Sequence, residues 1–269
     1  GAQLNVTANT TGSDPGFNPD TYTTASVAPG DNQSYTSGEL TLTAKDAKVT
    51  VDAELLTSPG QDTNVTFRLV NATNDVIATS EKTVAQGTTD TGRTTLAGDF
   101  SEPGLARGQS LSVDAVVTSG DKGYDEDDVQ ATNSASYGDE INKSDILELA
   151  PKDATVTAYA NLSTAPAEET NVTFELLNES NLLTTKTATV TSDSNTTGNV
   201  TLFTRFSDGG LSPGSSLKVR ANATDGDTGY LPATTTATTD IRPDENVTAV
   251  GNLSLEAQNA TVTTNATLS

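Results

Sequence analysis

Asn64-Val65-Thr66-Phe67-Arg68-Leu69 returns 107 residues on as Asn171-Val172-Thr173-Phe174-Glu175-Leu176. Val65, Phe67 and Leu69 alternate with Asn64, Thr66 and Arg68, the period of a strand with one face buried and one face wet. A helix would space its apolar residues three and four apart; here they stand two apart. In both copies the polar face opens on an Asn-Val-Thr sequon, an acceptor for N-linked sugar in a secreted protein. The stretch predicts a tandem β-array displayed outside a cell.

Working outward, an offset of 107 or 106 residues recurs. Lys45-Asp46-Ala47-Lys48-Val49-Thr50 matches Lys152-Asp153-Ala154-Thr155-Val156-Thr157, and again Gln258-Asn259-Ala260-Thr261-Val262-Thr263. Leu111-Ser112-Val113-Asp114-Ala115 matches Leu217-Lys218-Val219-Arg220-Ala221 and, going backwards, Leu4-Asn5-Val6-Thr7-Ala8. A repeat this long is one whole domain rather than one coil of a solenoid. The period divides the chain into the C-terminal part of a repeat (1–36), immunoglobulin-like repeats at 37–143 and 144–249, and the N-terminal part of a further repeat (250–269). Both ends then fall inside a repeat, Gly1 at the position of Gly108 and Ser269 at that of Ser163. Either the chain is an excerpt of a longer array or its end fragments exchange strands between subunits.

Seven strands are expected per repeat. Leu40 and Leu42, with Leu147 and Leu149 and then Leu253 and Leu255, mark the first. The second buries Ala47, Val49, Val51, Ala53 and Leu55. The third starts near Val65, the fourth spans Val76 to Thr83, the fifth buries Leu96 and Phe100, the sixth is Leu111 to Val117 and the seventh Val129 to Ser136. Gly and Pro clusters punctuate them. Seven short alternating strands per repeat predict an all-β fold of tandem immunoglobulin-like β-sandwich domains. Junctions short and poor in Gly and Ser limit swing, so the array is expected to be rod-like.

Composition narrows function. Asp and Glu number 36 against 14 Lys and Arg, for a net charge of −22. Such a surface repels phosphate, so nucleic acid is not an expected partner. Cys and His are absent, which removes disulfides, Ser-His and Cys-His nucleophile pairs and His-ligated metals. Most acids fall on outer strand faces or in turns, where pKa tuning is weak, so no enzyme is expected. No apolar run reaches the ~18 residues of a membrane span.

Three sets of residues are candidate sites. The sequons are Asn5, Asn9, Asn32, Asn64, Asn71, Asn142, Asn161, Asn171, Asn178, Asn195, Asn199, Asn222, Asn246, Asn252, Asn259 and Asn265. Asn64 with Asn171 and Asn71 with Asn178 recur between repeats, while Asn32, Asn142 and Asn246 mark the junctions. The run Asp121-Lys122-Gly123-Tyr124-Asp125-Glu126-Asp127-Asp128, with Asp227 in the second copy, supplies hard oxygens suited to calcium, or else is a solvated turn. Phe17, Tyr124 and Tyr230 occupy one repeat position in a loop beside a domain end. They are read as an interface, either a wedge between repeats or a platform for sugar or a neighbouring subunit. Tyr159, on an outer strand face, is a candidate lateral contact.

Few Lys, abundant Asp and Thr, small core residues, tandem repeats and sequons together resemble haloarchaeal extracellular glycoproteins built from immunoglobulin-like domains, such as surface-layer, adhesion and filament proteins. The resemblance implies export, N-linked glycans and a structural or adhesive role at the cell surface, with copies of itself or other surface proteins as partners. Two functions remain open. One is a structural component of a cell-surface layer or filament of a halophilic archaeon. The other is an adhesin stalk or the host-attachment fibre of a virus of halophiles, with a glycan or host-surface contact.

Overall fold

The computed structural model describes residues 3–11, 16–24, 27–30, 40–101, 104–206, 211–249 and 253–260. The sequons at Asn32, Asn252 and Asn265, the boundary at 36/37 and residues 250–252 and 261–269 of the expected C-terminal fragment lie outside these.

A short antiparallel pair comes first, β1 (Asn5–Ala8) with β2 (Asp20–Thr23). The first sandwich follows as β3 (Ala47–Val51), β4 (Ala53–Leu55), β5 (Thr63–Asn71), β6 (Val76–Val84), β7 (Thr94–Gly98), β8 (Leu111–Ser119), β9 (Asp127–Thr132), β10 (Glu140–Asn142) and β11 (Leu147–Leu149). One sheet runs β6-β5-β8-β9, all antiparallel. The other runs β10-β3-β7 and is extended by β11 beside β4. The second sandwich repeats this with β12 (Ala154–Ala158), β13 (Ala160–Leu162), β14 (Thr170–Asn178), β15 (Asn181–Val190), β16 (Val200–Thr204), β17 (Leu217–Asp225), β18 (Ala233–Thr238), β19 (Asn246–Thr248) and β20 (Leu253–Leu255). Its sheets are β15-β14-β17-β18 and β16-β12-β19, with β13-β20 as the extension. Among the described residues there is no helix.

The period-two reading of the opening stretch holds. Along β5, Thr63, Val65, Phe67, Leu69 and Asn71 are buried and the residues between them are half-exposed. In the second copy Thr170, Val172, Phe174 and Leu176 are buried in the same way. Phe67 and Phe174 are fully buried, each worth roughly 1.5–3 kcal/mol over an exposed ring. Val, Leu and Ala supply most of the rest of both cores. Ala47 to Leu55 keeps its alternation but breaks hydrogen-bonding partners at Asp52. Up to that residue it pairs with β7 and β10, and beyond it with β11.

The structure departs from the sequence reading at Phe100, which lies beyond β7 and is half-buried, and at the repeat boundaries. Leu147 and Leu149, expected to open the next repeat, instead lie parallel to β4 and pack in the first core. Leu253 and Leu255 do the same for the second core. The strand that opens one sequence period therefore closes the sandwich before it, because a three-residue strand with two leucines needs a hydrogen-bonded neighbour and a core at once. The junction sequons Asn142 and Asn246 also fall within strands, β10 and β19, which pair parallel to β3 and β12. A single apolar residue in each, Ile141 or Val247, carries no readable period.

The outer faces of β5/β8 and β14/β17 hold a charge reversal. Arg68 opposes Asp114 in the first sandwich, with Nε to Oδ1 at 2.7 Å. The equivalent positions of the second hold Glu175 opposite Arg220, also ion-paired. Each pair is satisfied only within its own sandwich. Exchanging equivalent strands would set Arg68 against Arg220 and Glu175 against Asp114. Like charges directly opposite are destabilising, so the reversal disfavours strand exchange between two units of similar sequence, a characteristic failure of tandem repeats.

Two outcomes are expected in urea unfolding at neutral pH. E175R should destabilise the second sandwich by about 1 kcal/mol and E175R/R220E should recover most of it, as partly exposed pairs do; a coupling of zero in that cycle would remove the pair from the account. Thr204 Oγ1 is the one buried side-chain oxygen or nitrogen among the described residues without a hydrogen bond, and Gly98 stands at its position in the first sandwich. T204V should therefore stabilise the chain by about 1 kcal/mol, and a loss of stability would mean that the hydroxyl has a partner after all.

Candidate functional site: the joint between the two sandwiches

The Asp121 side chain is fully buried at the end of the first sandwich. A carboxylate cannot be buried cheaply unless its lone pairs are filled and its charge is met. Here the Gly60 N–H donates to Oδ2 at 2.7 Å and Gln61 Nε2 to Oδ1 at 3.0 Å. The charge is met from the second sandwich, where Arg242 Nη1 stands 2.8 Å from Oδ1 and 3.0 Å from Oδ2. Locally the turn is set by Gly120, whose φ of +80° suits glycine. Thr63 adds to it, its buried hydroxyl accepting the Asp121 N–H at 3.0 Å and donating to the Gln61 carbonyl at 2.9 Å.

Arg242 is held for this contact. Its Nη2 donates to Asp240 at 2.8 Å and its own N–H to Glu245 at 2.8 Å. Burial pulls its pKa down, but the Asp240 hydrogen bond and the fields of Asp121 and Asp240 outweigh this and the net direction is upward. It is charged at any working pH. Beside it, Pro243 lies so close to Gly123 that any side chain there would run into the Pro243 backbone, and a side chain at Gly60 would meet Arg242 Nη1 and Pro213. The backbone leaves the first sandwich through paired bonds, Asp125 N–H to the Ala150 carbonyl at 2.8 Å and Lys152 N–H to the Gly123 carbonyl at 2.7 Å.

The joint before it has different chemistry. Phe17 packs edge-on to Tyr137 with centroids 4.9 Å apart, and Phe100 meets the same ring at 4.7 Å. The Arg107 guanidinium lies 5.6 Å from the Tyr137 centroid, within cation–π range. A side chain on Gly16 would collide with Tyr137. Tyr137 is the counterpart of Pro243, and Ser136 that of Arg242, by the period. One joint is thus closed by aromatic packing and the other by an ion pair.

Of the three aromatics expected at an interface, Phe17 packs on Tyr137 and Tyr124 bridges Pro151 beside the Arg242 joint. Tyr124 and Tyr230 are not surface rings: they are 3% and 4% exposed and belong to the cores, with hydroxyls donating to the Thr57 and Thr164 carbonyls at 2.8 and 3.1 Å. Burial, with the Asp121 field adding to it and Arg242 opposing, pushes the Tyr124 pKa well up, so this hydroxyl stays a donor. Tyr159 is 36% exposed.

The acidic run does not converge. Asp121 is committed to the joint, Asp125 lies 3.8 Å from Lys152 Nζ, Glu126 pairs with Arg68, and Asp127 accepts the Glu148 N–H at 2.8 Å. Asp227 accepts the Ala167 N–H at 3.3 Å. Among the described residues no group of three His, Cys, Asp or Glu is placed to hold a metal ion.

The sequons differ in what they offer. In Asn64 the carbonyl oxygen accepts the Thr83 hydroxyl at 2.8 Å while the amide nitrogen reaches only an exposed carboxylate, Glu81, at 3.1 Å. Asn171 copies this with Thr189 at 2.8 Å and Asp225 at 3.4 Å. Asn71 is 4% exposed, and its nitrogen donates to the Gly104 carbonyl at 2.6 Å while its oxygen gathers the Thr73 and Asp75 N–H groups. A glycan on that nitrogen would break the turn. Asn5, Asn9, Asn142, Asn195, Asn199, Asn246 and Asn259 are exposed, and Asn161, Asn178 and Asn222 are half-buried. Sequence reasoning missed Arg242 altogether. The available signal was a lone Arg before Pro in a junction turn of a chain this short of cations.

No known family profile and no curated protein matches the chain. Among solved structures it is similar to the Bacillus anthracis TIE protein (10% identity, TM-score 0.40), with 89% of this chain and 37% of that one covered. It is also similar to the tip fimbrial protein Mfa3 of Porphyromonas gingivalis (9% identity, TM-score 0.30, covering 71% and 81%). A third is the major pilin of Streptococcus pyogenes (12% identity, TM-score 0.27, covering 80% and 99%). The chain thus spans little more than a third of the TIE protein's length. Scores below 0.5 do not establish a common fold, and the functional reading rests on the chain's own residues.

R242Q should cost about 3–5 kcal/mol, because it strands a buried carboxylate, and should speed amide exchange at Gly60 and Gly123. D121N/R242Q should recover most of that loss, since two neutral amides share the same space. A double variant as unstable as R242Q would show that geometry, not charge, holds the joint.

Proposed function

We propose that this chain is a structural stretch of an extracellular assembly, a cell-surface layer or filament, working in high salt and carrying N-linked glycans. The observation that carries the reading is the joint. Two sandwiches are locked end to end by a buried ion pair and by glycines that admit the neighbour's backbone. Such a joint transmits force along the chain and presents nothing to a small substrate. The halophilic archaeal setting is supported by composition. A net charge of −22 on 269 residues repels itself at low ionic strength. At about 1 M salt the Debye length falls to about 3 Å and the repulsion is screened. The glycans are assigned first to Asn64 and Asn171, whose oxygens are anchored and whose nitrogens bond to exposed carboxylates, and Asn71 is left out.

Two measurements test this. Thermal melts followed by circular dichroism should show Tm rising by roughly 10 °C between 0.1 and 3 M NaCl, about 2 kcal/mol per sandwich; an unchanged Tm would sink the high-salt reading. Cryo-electron microscopy of native material in high salt should show this chain repeating in a continuous lattice or filament, with sugar density on Asn64 and Asn171. A rod ending in a distinct head would instead make the chain a stalk, with function in the head.

A further inference from the structure

The far end of the second sandwich repeats the frame of the Asp121 joint. The Asp227 N–H donates to Thr170 Oγ1 at 3.0 Å, and that hydroxyl donates to the Glu168 carbonyl at 3.0 Å. Gly226 has a φ of +75° where Gly120 has +80°. Asp227 Oδ2 accepts the Ala167 N–H as Asp121 Oδ2 accepts that of Gly60. Tyr230 bridges Ala257 as Tyr124 bridges Pro151. The Gln258 N–H donates to the Gly229 carbonyl at 2.7 Å, the bond that Lys152 makes to Gly123.

Four differences set this end apart from the filled joint. Among the described residues, a side chain on Gly229 would meet only Asp227 Oδ1 at 3.4 Å, where one on Gly123 would strike Pro243. Asp227 is half-buried where Asp121 is 2% exposed, and among the described residues no cation pairs with it. Glu168 stands at the place of Gln61 by the period, so the neutral donor to the carboxylate is replaced by a second negative charge. Leu231, in the position of Asp125, is 51% exposed.

We propose that this end is a docking socket for a further sandwich unit of the same repeat, one that presents an Arg or Lys followed by Pro in the turn equivalent to Ile241–Glu245. The cation pairs with Asp227 and Glu168, the proline seats on Gly229, and Leu231 is covered by the incoming turn. The occupant is fixed by continuity with the filled joint: the same frame, in the same chain, already receives such a turn. The chemistry is complementary to two carboxylates, whereas the Phe17 joint, closed on Tyr137, asks for an aromatic. This rests on the reading of the chain as one stretch of an assembly, and names the surface that carries the next contact.

The test uses the full chain with residues 152–257 inserted a second time after Ala257, which brings a second copy of the Arg242 turn within reach of Asp227. Amide exchange at residues 164–168 and 226–230 is expected to slow at least about tenfold on insertion, towards that of 57–61 and 120–124. D227N should abolish the gain. G229A is the control for folding: it should leave the uninserted chain unchanged, because its Cβ makes ordinary contact, yet block docking in the inserted one. Absence of the slowing, or an equal slowing in the uninserted chain on adding calcium alone, would overturn the proposal. Assembly of the native chain is scored separately. An insert that docks in a chain that never assembles removes only the filament; an insert that fails to dock in a chain that does assemble removes only the socket.

Discussion

A thin core constrains everything else here. Apolar residues make up 33% of the chain, with only 4% aromatic, so each core rests on a small set of Val, Leu and Ala around one fully buried Phe. The nine-residue strands β5 and β14 do this by strict alternation around one phenylalanine each. Alternation fixes register, because a slip of one residue would turn Phe67 or Phe174 outward with every apolar neighbour. It also leaves an outer face that is polar at Asn64, Thr66 and Arg68 and at Asn171, Thr173 and Glu175, with Val70 and Leu177 as its half-buried apolar ends. Cross-strand threonine pairs such as Thr66 with Thr118 at 3.0 Å and Thr173 with Thr224 at 2.9 Å hold that face without adding charge.

Because two units of similar sequence share a chain, identity has to be written where it does not disturb the core. The reversed pairs Arg68–Asp114 and Glu175–Arg220 do so on the outer faces. The joints do so at the ends, one with Tyr137 between two phenylalanines and the other with Arg242 on Asp121. Few cations are spread through the chain, and Arg68, Arg220 and Arg242 stand at such points of distinction. Scarcity of cations raises the specificity of each, since a wrong partner nearby is more often another carboxylate.

What was legible in the sequence follows from range. Val65, Phe67 and Leu69 announce their strand because the signal is local and nine residues long. Ile141 and Val247 announce nothing, because a three-residue strand has no period and its partner lies some ninety residues away in β3 or β12. Leu147 and Leu149 were readable as a strand, but their core was not, since parallel pairing to β4 leaves no mark in neighbouring residues. The burial of Tyr124 and Tyr230 was hidden by loop-like surroundings. Asp121 was visible as part of an acidic run that suggested calcium. Its actual partner is 121 residues away, and only the fold brings the two together.

Salt acts differently on the two kinds of electrostatics this chain contains. The exposed carboxylates interact through solvent, so added ions screen their repulsion within about a Debye length. The Asp121–Arg242 pair does not face solvent in that way: one side chain is fully buried and the other is 25% exposed, and buried pairs are screened far less. Raising the ionic strength therefore removes the repulsion that loosens each sandwich while leaving the contact between sandwiches nearly intact. A joint built from exposed ion pairs would weaken under the same conditions that stabilise the units. Placing the joint's charge out of solvent, and its neighbour's joint in aromatic packing, lets the units and their connections be stable in the same salt.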